Sequence, residues 1–159
     1  MTYLPLKVLS SLLMLALATS SLATDITYSE DIAPLWQQKC AACHDATAPY
    51  YGDFKKDKNK YKNQMKGPRM DTYADLLFFI GWPDTGALMR RLDDGANNKD
   101  GKPGNMYTYL GSNDEERAAN FLLFKKWVGM DAWNLNRWKE RNGVPGISKE
   151  QMSNIKAKY

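Results

Sequence analysis

Cysteine and histidine are scarce in this chain of 159 residues: there are two cysteines and one histidine. That is too few for a structural zinc site, which takes about four such ligands. With a single histidine there is also no second imidazole to act as an acid–base group beside a first, which disfavours a histidine-assisted peroxidase mechanism. No alternation of strands and helices surrounds the cysteines, so the βαβ setting of a thioredoxin-like redox pair is missing. Internal repeats and low-complexity tails are absent. Charge is nearly balanced, with 22 Lys and Arg against 18 Asp and Glu, and no basic recognition helix stands out, which argues against nucleic acid as a partner. The one long apolar run, Val8 to Ala18, is too short for a comfortable membrane span.

The scarce residues are not scattered. Both cysteines and the histidine fall within Cys40-Ala41-Ala42-Cys43-His44. C-x-x-C-H is the spacing of a c-type haem attachment site. Two intervening residues set the sulfurs about one helical turn apart, where each can form a thioether to a haem vinyl group. The next residue brings an imidazole beneath the iron as its proximal ligand.

The N-terminus reads as an export signal. Lys7 supplies a positive flank, Val8 to Ala18 the apolar core, and Ser21-Leu22-Ala23 the small residues of a cleavage site after Ala23. The expected organisation is therefore a signal peptide at 1–23, a domain at 24–130 and a C-terminal extension at 131–159. Cleavage leaves 136 residues with a net charge of +3 once Lys7 is gone, enough for one domain with a modest core.

The mature chain reads as helices joined by loops. Ser29 or Asp31 is expected to cap a first helix with Ile32, Leu35 and Trp36 on one face, running into Cys40. Asp45 to Lys66, with its basic run Lys55-Lys56-Asp57-Lys58-Asn59-Lys60-Tyr61-Lys62, shows no clear period and reads as a solvated loop or insertion whose lysines steer an acidic redox partner. A helix is expected over Asp71 to Ile80, capped by Asp71 or Thr72, and a short one through Leu92. Ala96 to Leu110 is a glycine- and asparagine-rich loop. Ser112-Asn113-Asp114-Glu115 opens the strongest helix, through Val128, where Gly129 stops it. Trp133, Leu135 and Trp138 suggest a short helix packing back, and Ser148 with Gln151 caps a terminal one.

Around the haem, Pro68 is the candidate carbonyl for the Nδ1–H of His44, a bond that fixes the ring and raises its basicity. Arg69 is a candidate propionate partner, and the Trp82 indole is another or a core filler beside the porphyrin. A low-spin carrier needs a second axial ligand, and the remaining soft donors are Met65, Met70, Met89, Met106, Met130 and Met152. Met89 lies on an apolar helical stripe and reads as core. Met106 sits in the flexible loop before the strongest helix and is the expected distal ligand, with Met70 the alternative.

Taken together, Cys40-Ala41-Ala42-Cys43-His44, the helix before it, the Gly67-Pro68 step and the Met106 loop before a C-terminal aromatic helix resemble a class I mono-haem c-type cytochrome over about Thr27 to Val128. The resemblance implies an all-α fold wrapped around one covalent haem c, here with a C-terminal helical extension. It implies that the first and last helices cross, so that Ile32, Leu35 and Trp36 meet Phe121, Leu122 or Phe124. It also implies export to the periplasm, where c-type attachment occurs. The expected function is one-electron Fe(III)/Fe(II) cycling between redox partners, without enzymatic chemistry. Partners would present an acidic face to lysines such as Lys39 at the haem edge, with no stable membrane span and no nucleic acid. The alternatives are a haem subunit of a larger oxidoreductase and a gas sensor or enzyme with an open iron site. The pattern departs from the family in two places: Met106 is followed by Tyr107 rather than proline, and the stretch from His44 to Gly67 is long.

Overall fold

Thr27 caps the first helix, two residues before the nearer of the expected caps, Ser29. Its hydroxyl accepts the Glu30 amide, while the Asp31 carboxylate accepts the Thr27 amide at 2.8 Å. Two terminal amides are thereby satisfied reciprocally, as in a capping box. The chain winds as a π-helical turn over Tyr28–Ile32 and continues directly into α1 (Ala33–Lys39), with Pro34 in its first turn. The computed structural model describes residues 25–81, 84–98, 100–133 and 148–159. The leader at 1–23, Trp82, Leu135 and Trp138 lie outside the described residues.

After α1 come α2 (Ala41–His44), α3 (Tyr51–Lys56), α4 (Lys58–Asn63), α5 (Tyr73–Phe78) and α6 (Ala87–Leu92). A 3₁₀ turn at Tyr107–Leu110 leads to α7 (Asp114–Val128), and α8 (Lys149–Ser153) follows. No strand occurs among the described residues. No helix there is long and apolar enough to cross a membrane.

The basic stretch expected to be a loop is two short helices. Neither α3 nor α4 buries a residue, so no apolar stripe marks them in the sequence. Local bonds hold them instead: the Asp57 carboxylate caps α4 by accepting the Lys60 amide at 3.0 Å, and Phe54 stacks on Tyr61 with ring centres 6.2 Å apart. At α5 the cap is Thr72, whose hydroxyl accepts the Asp75 amide. At α7 the cap is Asn113 rather than Ser112. Asn113 accepts the Glu116 amide at 2.8 Å, and Glu116 reaches back to the Ser112 amide at 2.7 Å. The box at Ser148 and Gln151 forms as expected.

One core gathers Ile32, Leu35 and Trp36 from the first helix, Leu76, Phe79 and Ile80, Leu88, Met89 and Leu92, and Phe121, Phe124 and Trp127 from α7. The first and last helices thus share a core, while Leu122 faces outward at 42 % exposure. Each fully buried large side chain contributes about 1.5–3 kcal/mol. Ala132, Trp133 and Ala157 are buried in the same core. The C-terminal residues return across it: the Lys158 carbonyl accepts both the Tyr28 amide and the Trp127 indole N–H at 2.8 Å, and the Ala157 carbonyl accepts the Tyr73 hydroxyl at 2.7 Å. The chain end is therefore pinned to the start of the first helix and to α7.

Candidate functional site

α1 ends at Cys40, whose amide donates to the Trp36 carbonyl at 2.8 Å. A fresh turn then begins. The amides of Cys43 and His44 both return to the Cys40 carbonyl, at 3.2 and 3.1 Å. This turn sets the two sulfurs one helical turn apart and carries the imidazole immediately beyond them. Both cysteines are half-buried free thiols, not joined to each other. Burial, and next the neighbouring Cys43, push the Cys40 thiol up to about 12, so before attachment it rests as a thiol.

His44 is buried, at 7 % exposure. Its Nδ1 lies 2.6 Å from the Pro68 carbonyl oxygen. A carbonyl only accepts, so Nδ1 carries the proton and Nε2 keeps its lone pair. Burial lowers the imidazole pKa below its ordinary value. The Pro68 bond acts in the opposite sense, and the nearby Lys66 charge adds to the lowering. The result is a neutral imidazole of fixed tautomer, the form a metal ligand requires.

The loop that supplies this carbonyl is stitched to the attachment turn. Gly67 donates to the Cys43 carbonyl at 2.9 Å, Met70 to the His44 carbonyl at 2.9 Å, and Arg69 to the Pro49 carbonyl at 2.8 Å. Gly67 is also the wall against which the ring rests. A Cβ there would stand 2.1 Å from His44 Cε1, so the backbone approaches the imidazole as only glycine permits. Asp45, just beyond, has its carboxyl held down at about 2, first by the Thr47 hydroxyl and then by Lys66. The same Lys66 donates to both Asp45, at 3.1 Å, and Thr47, at 2.9 Å.

Arg69 lies in this loop, but its guanidinium is already engaged. It forks the Asp71 carboxylate and donates to the Tyr50 hydroxyl at 3.0 Å. Lys39 is likewise tied down rather than free at the haem edge. It pairs with Glu116 and joins the first helix to α7, with only 14 % of its side chain exposed. Met70 is half-buried and donates its amide to the His44 carbonyl. Met106 comes from a separate loop. Its amide donates to the Arg91 carbonyl at 2.9 Å, Gly104 donates to the Asp93 carbonyl at 2.7 Å, and a Cβ on Gly104 would stand 2.3 Å from the Arg91 carbonyl oxygen. Asp93 anchors this loop, accepting the Trp133 indole N–H at 3.0 Å and the Asn97 side chain at 2.9 Å. Met106 is half-buried against the common core.

These residues fit a covalent haem. Two free thiols at one-turn spacing sit beside a neutral imidazole with Nδ1 engaged. Among the described residues no three His, Cys, Asp or Glu side chains converge on a bare metal ion, so Cys40, Cys43 and His44 do not form a single-ion cage. The indole Nε1 of Trp36, one helical turn before Cys40, is the one buried side-chain polar atom without a hydrogen-bond partner among the described residues. The imidazole wall at Gly67, the Lys66 bracket and the returning C-terminus were not read as such from the sequence. Asp45-x-Thr47, with its local turn chemistry, was the one available signal for the bracket.

Comparison with known proteins agrees with this geometry. A profile of the PccH cytochrome c family matches residues 27–159. No curated protein sequence matches the chain. Among solved structures, the monohaem cytochrome PccH from Geobacter sulfurreducens is similar at 48 % identity and a TM-score of 0.73, covering 86 % of this chain and all of that one. The chain is therefore a member of the PccH cytochrome c family, an all-α mono-haem c-type cytochrome with one covalently bound haem c and its iron.

Proposed function

We propose that this protein is a periplasmic one-electron carrier, without substrate chemistry of its own, that shuttles electrons between redox partners. The electron-carrier role follows the family; its residue assignments are ours. Cys40 and Cys43 tether the haem through thioethers, His44 ligates the iron from one face, and Met106 from the other. The haem supplies the Fe(III)/Fe(II) couple. The protein supplies a ligand of fixed tautomer, a soft thioether that favours the ferrous state and raises the potential, and a packed surround.

The observation that carries the reading is the bond from His44 Nδ1 to the Pro68 carbonyl. It commits the imidazole to ligation through Nε2 and increases its donor strength. The choice of Met106 over Met70 rests on where each is anchored. Met70 is bound to the backbone of His44 itself, whereas an axial partner must come from the opposite face. The Met106 loop is an independent element, bonded to Arg91 and Asp93 rather than to the attachment turn, and this supports the choice of Met106. The export signal at 1–23 and the exported character typical of c-type cytochromes support the periplasmic assignment.

The test is the visible spectrum of the purified protein, oxidised and reduced, with and without CO. A far-red charge-transfer band in the ferric form and no response to CO are expected, and Met106→Ala abolishes that band and admits CO. Met70→Ala leaves both unchanged. A wild-type protein that binds CO readily has an open iron site and belongs to the sensor or enzyme class.

A further inference from the structure

The chain carries a net charge of +4, and residues 51–66 alone hold six lysines against two aspartates. The surplus of that segment equals the surplus of the whole chain, so the other residues balance to zero. The structure places five of these lysines on one arm, the α3–α4 pair. Lys55, Lys56, Lys58, Lys60 and Lys62 are all exposed. Only Lys56 has an ion-pair partner among the described residues, Asp53 at 2.9 Å.

Aromatic contacts hold the arm: Phe54 on Tyr61, and Tyr51 edge-on to Phe78 and Phe79 at 5.1 and 5.4 Å, with its hydroxyl donating to Asp84 at 2.9 Å. Lys55 and Lys60 add cation–π contacts over the Tyr51 and Tyr61 rings at 5.5 and 5.4 Å. The root of the arm is flanked by two exposed side chains of the kind that anchor interfaces, Tyr50 at 61 % and Met65 at 77 % exposure. Met65 is held at φ 54°, left-handed backbone that a side-chain-bearing residue adopts rarely. The C-terminal end of the arm runs directly onto the attachment turn, through the bonds of Gly67 to Cys43 and Met70 to His44.

We infer that this lysine arm, rather than the thioether edge where Lys39 is already paired, is the docking surface for a redox partner protein with an acidic face. The inference rests on the carrier reading and adds the surface and the chemistry of what binds it. Concentrated charge of one sign steers encounter with an oppositely charged surface and is sensitive to salt. An anchor pair at the root of the arm gives the encounter a place to settle. A membrane surface suits it less, because neither helix buries or presents a continuous apolar face.

The experiment uses the full holoprotein with poly-L-glutamate as the acidic probe, at low and at high ionic strength. Binding at low salt is expected, with amide shift changes confined to residues 50–66. In the variant Lys55→Gln/Lys58→Gln/Lys60→Gln/Lys62→Gln, affinity falls about tenfold or more. An equal charge change elsewhere, at the exposed Lys102, Lys126, Lys149 and Lys156, leaves affinity within about twofold of wild type. If both quadruple variants lose binding equally, net charge alone is responsible and the arm is not a docking surface. If the protein ignores poly-L-glutamate but binds phosphatidylglycerol vesicles through the same lysines, the occupant is a lipid surface and the proposal fails. Far-UV circular dichroism confirms folding of each variant. The visible spectrum and its response to CO report the carrier reading separately, so either conclusion can fall without the other.

Discussion

The two sides of the proposed haem pocket are built differently. On the His44 side, three backbone bonds join residues 43–49 to residues 67–70 over a span of four residues, and the ligand ring is pressed against Gly67. On the Met106 side, the loop hangs from the end of α6 by the Arg91 and Asp93 carbonyls, and Asp93 is itself held by Trp133 from beyond α7. One side is a short, self-contained clamp. The other is a loop whose position depends on the packing of distant elements. Such loops come from the low-stability end of a structure, so the methionine side is the one expected to open first.

Gly67→Ala strikes the clamp hardest. With 2.1 Å between the new Cβ and His44 Cε1, either the ring or the loop must move, at a cost of about 3 kcal/mol or more. Denaturant unfolding of the holoprotein measures it, and an unchanged midpoint means the ring is not braced there. Trp133→Phe tests the other side. It removes a donor from buried Asp93 while keeping most of the ring, and is expected to cost about 1–2 kcal/mol. Hydrogen exchange then quickens at Met106 and Tyr107 but not at Gly67 or Met70. Uniform acceleration would show that the two sides open together.

Lys39→Gln is the smallest of the three. It breaks the bridge between the first helix and α7, which serves both sides, so it lowers stability slightly without favouring either. The pH dependence has a defined sign. Lys39, followed by the Ser112 amide, holds the Glu116 carboxyl below its ordinary pKa. The stabilisation is thus present above the ordinary carboxylate range and is lost as pH falls through the lowered value. Comparing the acid limbs of wild type and Lys39→Gln checks this, and the difference shrinks in high salt.

Legibility in the sequence followed locality. Cys40, Cys43 and His44 are covalent neighbours, so their chemistry is written in their spacing, and Ser148 with Gln151 announced a cap because both partners lie within one turn. The caps at Thr27 and Asn113 were each misplaced by a residue or more, because several polar side chains near each helix start compete for the same amides. α3 and α4 were not seen because no residue of either is fully buried, and periodicity records only a face that meets a core. Lys39 read as a lysine at the haem edge, since nothing in the chain nearby reveals that Glu116, 77 positions away in sequence, lies within reach.

The sequence by itself determined the cofactor chemistry and the helical class, because thioether spacing, an adjacent imidazole and helical apolar stripes are all short-range properties. Only the tertiary structure decided that the Gly67 backbone closes on the His44 ring, that Lys39 pairs with Glu116, and which lysines remain free. Those are contacts between residues far apart in the chain, and their identity depends on how the first helix, α7 and the returning C-terminus close around one core.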